Sequence, residues 1–81
     1  MSDVSVIFKV YTEEGKLDPV MAGIKKLKPH DLKTEELAFG MKAIKVMFIY
    51  DNASANSSEI EERIRRIEGV SEIEVEQETL I

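Results

Sequence analysis

The sequence predicts an α+β domain of the ferredoxin-like class, β-α-β-β-α-β, with a four-stranded antiparallel sheet and two helices on one face. Three observations predict it. Residues 4–11 and 41–50 alternate with a period of two, as strands do. Val20, Ile24 and Leu27, and later Ile60, Ile64 and Ile67, recur with helical spacing. The order of these segments gives each β-α-β half one crossover helix, and right-handed crossovers put both helices on the same side of the sheet. No linker or internal repeat divides the 81 residues, so residues 1–81 are expected to act as a single domain.

Each element has a local reason. The first strand sets Val4, Val6, Phe8 and Val10 against Ser5, Ile7, Lys9 and Tyr11, so its even face is the more apolar. Thr12-Glu13-Glu14-Gly15 is turn chemistry. Asp18-Pro19 reads as a helix start, with Asp18 accepting from free N–H groups and Pro19 in the first helical position. That helix stops before Pro29, which disfavours helical geometry at Lys28. Leu32, Thr34 and Leu37 mark residues 31–37 as a short polar edge strand. After Phe39-Gly40 comes the strongest strand, with Ile44, Val46, Phe48 and Tyr50 on one face and Ala43, Lys45, Met47 and Ile49 on the other. Residues 51–57 are a polar loop. Ser58-x-x-Glu61 reads as a capping box, and Glu59 with Arg63, Glu61 with Arg65 and Glu62 with Arg66 are i, i+4 pairs in the favourable order. Gly69 is placed to end this helix. The last strand, residues 70–78, turns Ile73 and Val75 inward and Glu72, Glu74 and Glu76 outward. The sheet face away from the helices is predicted open, with Ile7, Tyr11, Met47 and Ile49 among Ser5, Lys9 and Lys45.

Composition excludes several function classes. Hydrophobic residues make up 43% and charged residues 33%, a globular balance. There are no cysteines, which removes disulfides, iron–sulfur clusters and thiolate zinc. The single His30 supports neither a histidine metal cage nor a Ser-His triad. No apolar run reaches the roughly 18–20 residues of a membrane span, and the start, Met1-Ser2-Asp3-Val4, lacks signal-peptide features. The expected compartment is the cytoplasm, with no membrane contact. The net charge of −5 is uneven, at −2 over residues 1–15, +3 over 16–45 and −6 over 46–81. An acidic chain repels nucleic acid, so no direct nucleic-acid binding is expected. Lys25, Lys26, Lys28 and Lys33 form either a local basic patch or a solvated helix end.

Catalytic and metal motifs are missing. The four glycines are isolated, so no loop cradles a phosphate. Glu72, Glu74 and Glu76 alternate on one strand face, which suits solubility and not a cation held by converging loops. The Asn-x-Ser matches at Asn52 and Asn56 read as chance without a secretory signal. The domain class hosts several functions. A metallochaperone needs Cys-x-x-Cys after the first strand. An RNA-recognition sheet needs a basic-Gly-aromatic-Gly-aromatic strand, which residues 42–48 do not supply. An acylphosphatase-like enzyme needs an arginine after the first strand, and the only arginines are Arg63, Arg65 and Arg66. No enzymatic activity, cofactor or metal is expected.

One segment stands apart: Glu36-Leu37-Ala38-Phe39-Gly40-Met41-Lys42-Ala43-Ile44. Read from its residues alone, it is a turn in which Gly40 relieves backbone strain and Phe39 tucks into the core. It also closely resembles the Ala-Phe-Gly-hydrophobic signature of the archaeal translation elongation factor 1-beta family. Eukaryotic relatives carry a Gly-aromatic-Gly-Ile version. The stretch Ile67-Glu68-Gly69-Val70-Ser71-Glu72-Ile73-Glu74-Val75 and the chain length resemble that family too.

The resemblance implies a guanine nucleotide exchange factor for elongation factor 1-alpha, the GTPase that delivers aminoacyl-tRNA. It implies that Phe39 engages the GTPase, with Gly40 shaping its backbone and Met41 and Lys42 beside it. At the other chain end, eukaryotic members place a penultimate lysine at the GTPase magnesium site. Here that residue is Leu80, so the lysine mechanism does not carry over. Three readings of the tail stay open. Leu80 and Ile81 wedge into the partner, or the carboxylates of Glu78 and the C-terminus act on phosphate or Mg²⁺, or the tail only closes the last strand. The competing function is a small-ligand or oligomerisation module working through Ile7, Tyr11, Met47 and Ile49 on the open sheet face.

Overall fold

The alternation and helical spacing produce six elements in sequence: β1 (Asp3–Thr12), α1 (Leu17–Lys25), β2 (Asp31–Glu36), β3 (Lys42–Asp51), α2 (Ser57–Arg65) and β4 (Val70–Leu80). A tight turn at Ala38–Gly40 joins β2 to β3. This computed structural model describes residues 3–53 and 55–81. Met1 and Ser2 of the start, and Ser54 of the first Asn-x-Ser match, lie outside the described residues. The strands form one antiparallel sheet in the order β2-β3-β1-β4, the ferredoxin-like arrangement.

The core lies where the sequence puts its apolar faces. Val6, Phe8 and Val10 of β1, Ile44, Val46 and Phe48 of β3, and Ile73 of β4 meet Val20 and Ile24 of α1 and Ile64 of α2. Leu27, Ile60 and Ile67 pack at its margin. Phe8 and Phe48 meet edge to face, with centroids 6.3 Å apart and planes at 67°. Such a pair adds about 0.5–1.5 kcal/mol beyond the area it buries.

The helix starts differ from the sequence reading. α1 begins at Leu17 without a side-chain cap, so Asp18 and Pro19 sit inside its first turn. The preceding turn does the capping work. The Lys16 N–H donates to the Glu13 carbonyl at 3.0 Å, and the Lys16 carbonyl accepts from Val20 at 3.1 Å. Pro19 costs nothing there, because the first four N–H groups of a helix have no partner inside it. At α2 the cap is Asn56, whose side chain accepts from the Glu59 N–H at 2.9 Å. This replaces the expected Ser58–Glu61 box. Two of the three expected ion pairs form, Glu61 with Arg65 at 2.8 Å and Glu62 with Arg66 at 3.6 Å.

Gly69 does not end α2, which stops at Arg65. It packs instead against the start of α1, at φ +103°, where a Cβ would lie 2.8 Å from Lys16 Cβ and 2.9 Å from Val20 Cγ2. Its carbonyl accepts from the Glu13 N–H at 2.8 Å. The turn before β4 is thereby clamped to the turn after β1.

β4 runs past residue 78 to Leu80, and the Ile81 N–H donates to the Asp3 carbonyl at 2.8 Å. Its pairing with β1 slips twice: Tyr11 faces Glu72 but Thr12 faces Val70, and nearer the tail Ile7 faces Gln77 but Phe8 faces Val75. Glu76 is therefore the extra residue of a β-bulge. Val75 turns toward the helix side as expected, yet at the sheet edge it stays exposed.

Candidate partner-binding site

Between β2 and β3 the chain must reverse in five residues. The Leu37 N–H donates to the Met41 carbonyl at 2.7 Å, which closes the turn. Inside it Phe39 (φ +62°, ψ +31°) and Gly40 (φ +73°) are both left-handed. Glycine accepts this freely, whereas for Phe39 it costs about 1–2 kcal/mol. The Phe39 side chain does not tuck into the core: the residue is 99% exposed. The helix-side face at this end is already filled by Val10, Ile44 and Ile73. Burying the ring elsewhere would have gained about 1.5–3 kcal/mol. Strain and exposure both run against stability, a combination that concentrates at functional sites.

Met41 is exposed beside Phe39, and Lys42 opens β3 next to it. Across a cleft of about 560 Å³ stands a second wall made of Thr12, Glu13, Glu14 and Leu17. The sequence reading saw Thr12, Glu13 and Glu14 only as a turn and did not single out Leu17. The signal that places them is the sheet register: Val10 faces Ile44, so Thr12 arrives beside Lys42.

Leu80 and Ile81 lie elsewhere. Leu80 pairs with Val4, whereas the Phe39 turn borders Thr12. Eight residues of extended strand separate Val4 from Thr12, about 26 Å at a rise of ~3.3 Å per residue. The six residues the sequence singled out thus fall into two groups at opposite ends of the sheet. Leu80 and Ile81 are both exposed. Glu78 is not a free carboxylate, since it accepts from the Tyr50 hydroxyl at 2.9 Å. Burial, and then this bond, push the Tyr50 hydroxyl above the ordinary tyrosine range.

The open sheet face carries Lys33, Lys45 and Lys9 side by side on adjacent strands. Lys9 pairs with Glu35 at 3.6 Å and Lys45 with Glu76 at 3.8 Å. Burial pulls Lys9 down, but Glu35, Tyr11 and Glu76 together outweigh it and leave the ammonium above its usual range. The hollow bounded by Ile7, Asp31, Lys33, Lys45 and Met47 measures about 50 Å³. Sites for small molecules start near ~300 Å³. Among the described residues, no three His, Asp or Glu groups are placed to hold a metal, and no helix is long and apolar enough to cross a membrane.

Residues 5–81 match the family model of the EF-1 guanine nucleotide exchange domain. The chain belongs to that family. It is 33% identical over 85 residues to elongation factor 1-beta of Methanospirillum hungatei JF-1, with both chains covered in full. It is 34% identical over 84 residues to elongation factor 1-beta of Aeropyrum pernix, covering 94% of this chain and 93% of the relative. A third elongation factor 1-beta, from Methanothermobacter thermautotrophicus, is 33% identical over 84 residues, with 93% and 92% covered. The expected membership in the elongation factor 1-beta family is met over essentially the whole length, and these relatives are archaeal.

Proposed function

We propose that this chain is a cytoplasmic guanine nucleotide exchange factor that promotes replacement of GDP by GTP on elongation factor 1-alpha. The observation that carries the reading is Phe39: an aromatic side chain held in solvent on a strained turn, in a chain that matches an exchange domain. Large aromatics in such positions anchor protein interfaces. Phe39 inserts into the GTPase, Gly40 fixes the backbone, and Met41 and Lys42 extend the contact along the cleft. Leu80 and Ile81 make a separate apolar contact at the far end of the sheet. The chain acts as one exchange domain over its length, without metal, cofactor, membrane or direct nucleic-acid contact.

The mechanism is linkage, with no covalent step. A factor that binds the nucleotide-free GTPase more tightly than the GDP form lowers GDP affinity by the same ratio. A stiff sheet suits this role, because contact at the Phe39 end holds the tail end at a fixed distance. The test is stopped-flow release of fluorescent GDP from the elongation factor 1-alpha of the same organism. Dose-dependent acceleration at substoichiometric protein is the expected result. No acceleration, with folded protein and an active GTPase, would overturn the proposal.

A further inference from the structure

Beyond Val75, Glu76 gives β4 one residue more than its pairing with β1 requires. An unbroken alternation from Ile73 and Val75 would carry Gln77, Thr79 and Ile81 on the helix side and turn Leu80 to the open face. The bulge reverses this: Glu78 faces Val6 and Leu80 faces Val4, both core positions of β1. On the other side of β1, Phe48 faces Val6 and Tyr50 faces Val4. Two rows therefore cross three strands, Tyr50–Val4–Leu80 and Phe48–Val6–Glu78. The Tyr50 hydroxyl reaches diagonally from the first row into the second, 2.9 Å from Glu78. This bond passes over β1 and ties β3 directly to β4. On the opposite face, the Gln77 side chain donates to Thr79 Oγ1 at 3.2 Å, which fits the same shifted register.

Glu78 lies on the helix side of the edge strand and stays exposed, with the Tyr50 hydroxyl as its partner. In the unbroken register Glu78 would face the opposite side of the sheet, out of Tyr50's reach. We infer that Tyr50 is a positioning residue: by capturing Glu78 it selects the bulged register of β4 and holds Leu80 on the helix-side rim of the sheet. The inference rests on the exchange function proposed above, in which Leu80 and Ile81 touch the GTPase.

Tyr50→Phe keeps the ring and removes the captured bond. Glu78→Leu removes it from the other side, and Glu78→Gln keeps an acceptor. Two readouts apply, amide hydrogen exchange of residues 79–81 in the free protein and the KM and kcat of GDP release. Losing one such bond raises local opening by about 5–10-fold, so the amides of residues 79–81 exchange faster by that factor in Tyr50→Phe and Glu78→Leu. In both, kcat falls several-fold while KM is retained, and Glu78→Gln restores most of each. A merely structural role would lower the melting temperature without splitting kcat from KM. Truncation of residues 79–81 separates the two failures. Truncation without effect on GDP release overturns the tail contact, and the positioning role with it. If truncation slows release but Tyr50→Phe and Glu78→Leu keep both tail protection and kcat, the positioning role alone is overturned.

Discussion

Phe39 and Leu80 are both exposed apolar residues at ends of the same sheet, but different forces hold them out. Phe39 is presented by the backbone: two consecutive left-handed residues aim the ring away from a core end that is already full. Leu80 is presented by register: a bulge and the Tyr50–Glu78 bond lay it against Val4 at the sheet edge. One chain thus holds out one apolar residue at a local energetic cost and another through long-range pairing. The first depends on a few adjacent residues, and the second on strands far apart in sequence.

Substitutions separate these ends. The largest expected effect is on the scaffold beneath the Phe39 end. Gly69→Ala meets both a left-handed backbone and atoms of Lys16 and Val20 under 3 Å away. It should cost about 2–3 kcal/mol and lower the melting temperature by roughly 10 °C or more, read by calorimetry. Phe39→Ala should do the opposite. The melting temperature should move by less than about 2 °C, because an exposed ring contributes little to folding, while kcat/KM for GDP release drops about 10–30-fold, chiefly through KM. Equal losses in folding and exchange would break the distinction.

Smaller effects sharpen the tail end, where α2 begins. Asn56→Ala should cost about 1 kcal/mol by removing the cap on Glu59, and Ser58→Ala should stay within about 0.5 kcal/mol, both from chemical denaturation. The smallest effect is in alkali. Tyr50 and Lys9 hold their protons more tightly folded than unfolded. Their contribution is therefore complete below their unfolded pKa values and is lost as pH rises through the folded ones, above about pH 10. Tyr50→Phe should show a shallower loss of stability there, read by chemical denaturation across alkaline pH.

Much of the fold was legible because period-two and helical spacing act within short windows. Val4 to Val10 and Ile44 to Phe48 declared their faces, and residues 31–36 formed the edge strand that Leu32 and Thr34 suggested. The helix starts were misread because capping is a competition among neighbours: Asn56 took the N-cap role from Ser58, and the Glu13 turn took it from Asp18. Phe39 stood out in the sequence, but its direction did not, since that depends on two backbone angles and on how full the nearby core is. The cleft wall at Glu13 and the bulge at Glu76 are set by pairing between distant strands. A trace of the bulge survives in the sequence, where the apolar series Ile73, Val75 changes phase at Leu80.

In the proposed function both ends of the sheet touch the GTPase while its open face does not. The most direct measurement is amide and methyl NMR of the isotope-labelled chain titrated with nucleotide-free elongation factor 1-alpha. Perturbation is expected at residues 39–42 and 79–81, with little change at Ile7, Met47 and Ile49. Perturbation centred on those three residues, with Phe39 and Leu80 unmoved, would contradict it and make the open sheet face the working surface.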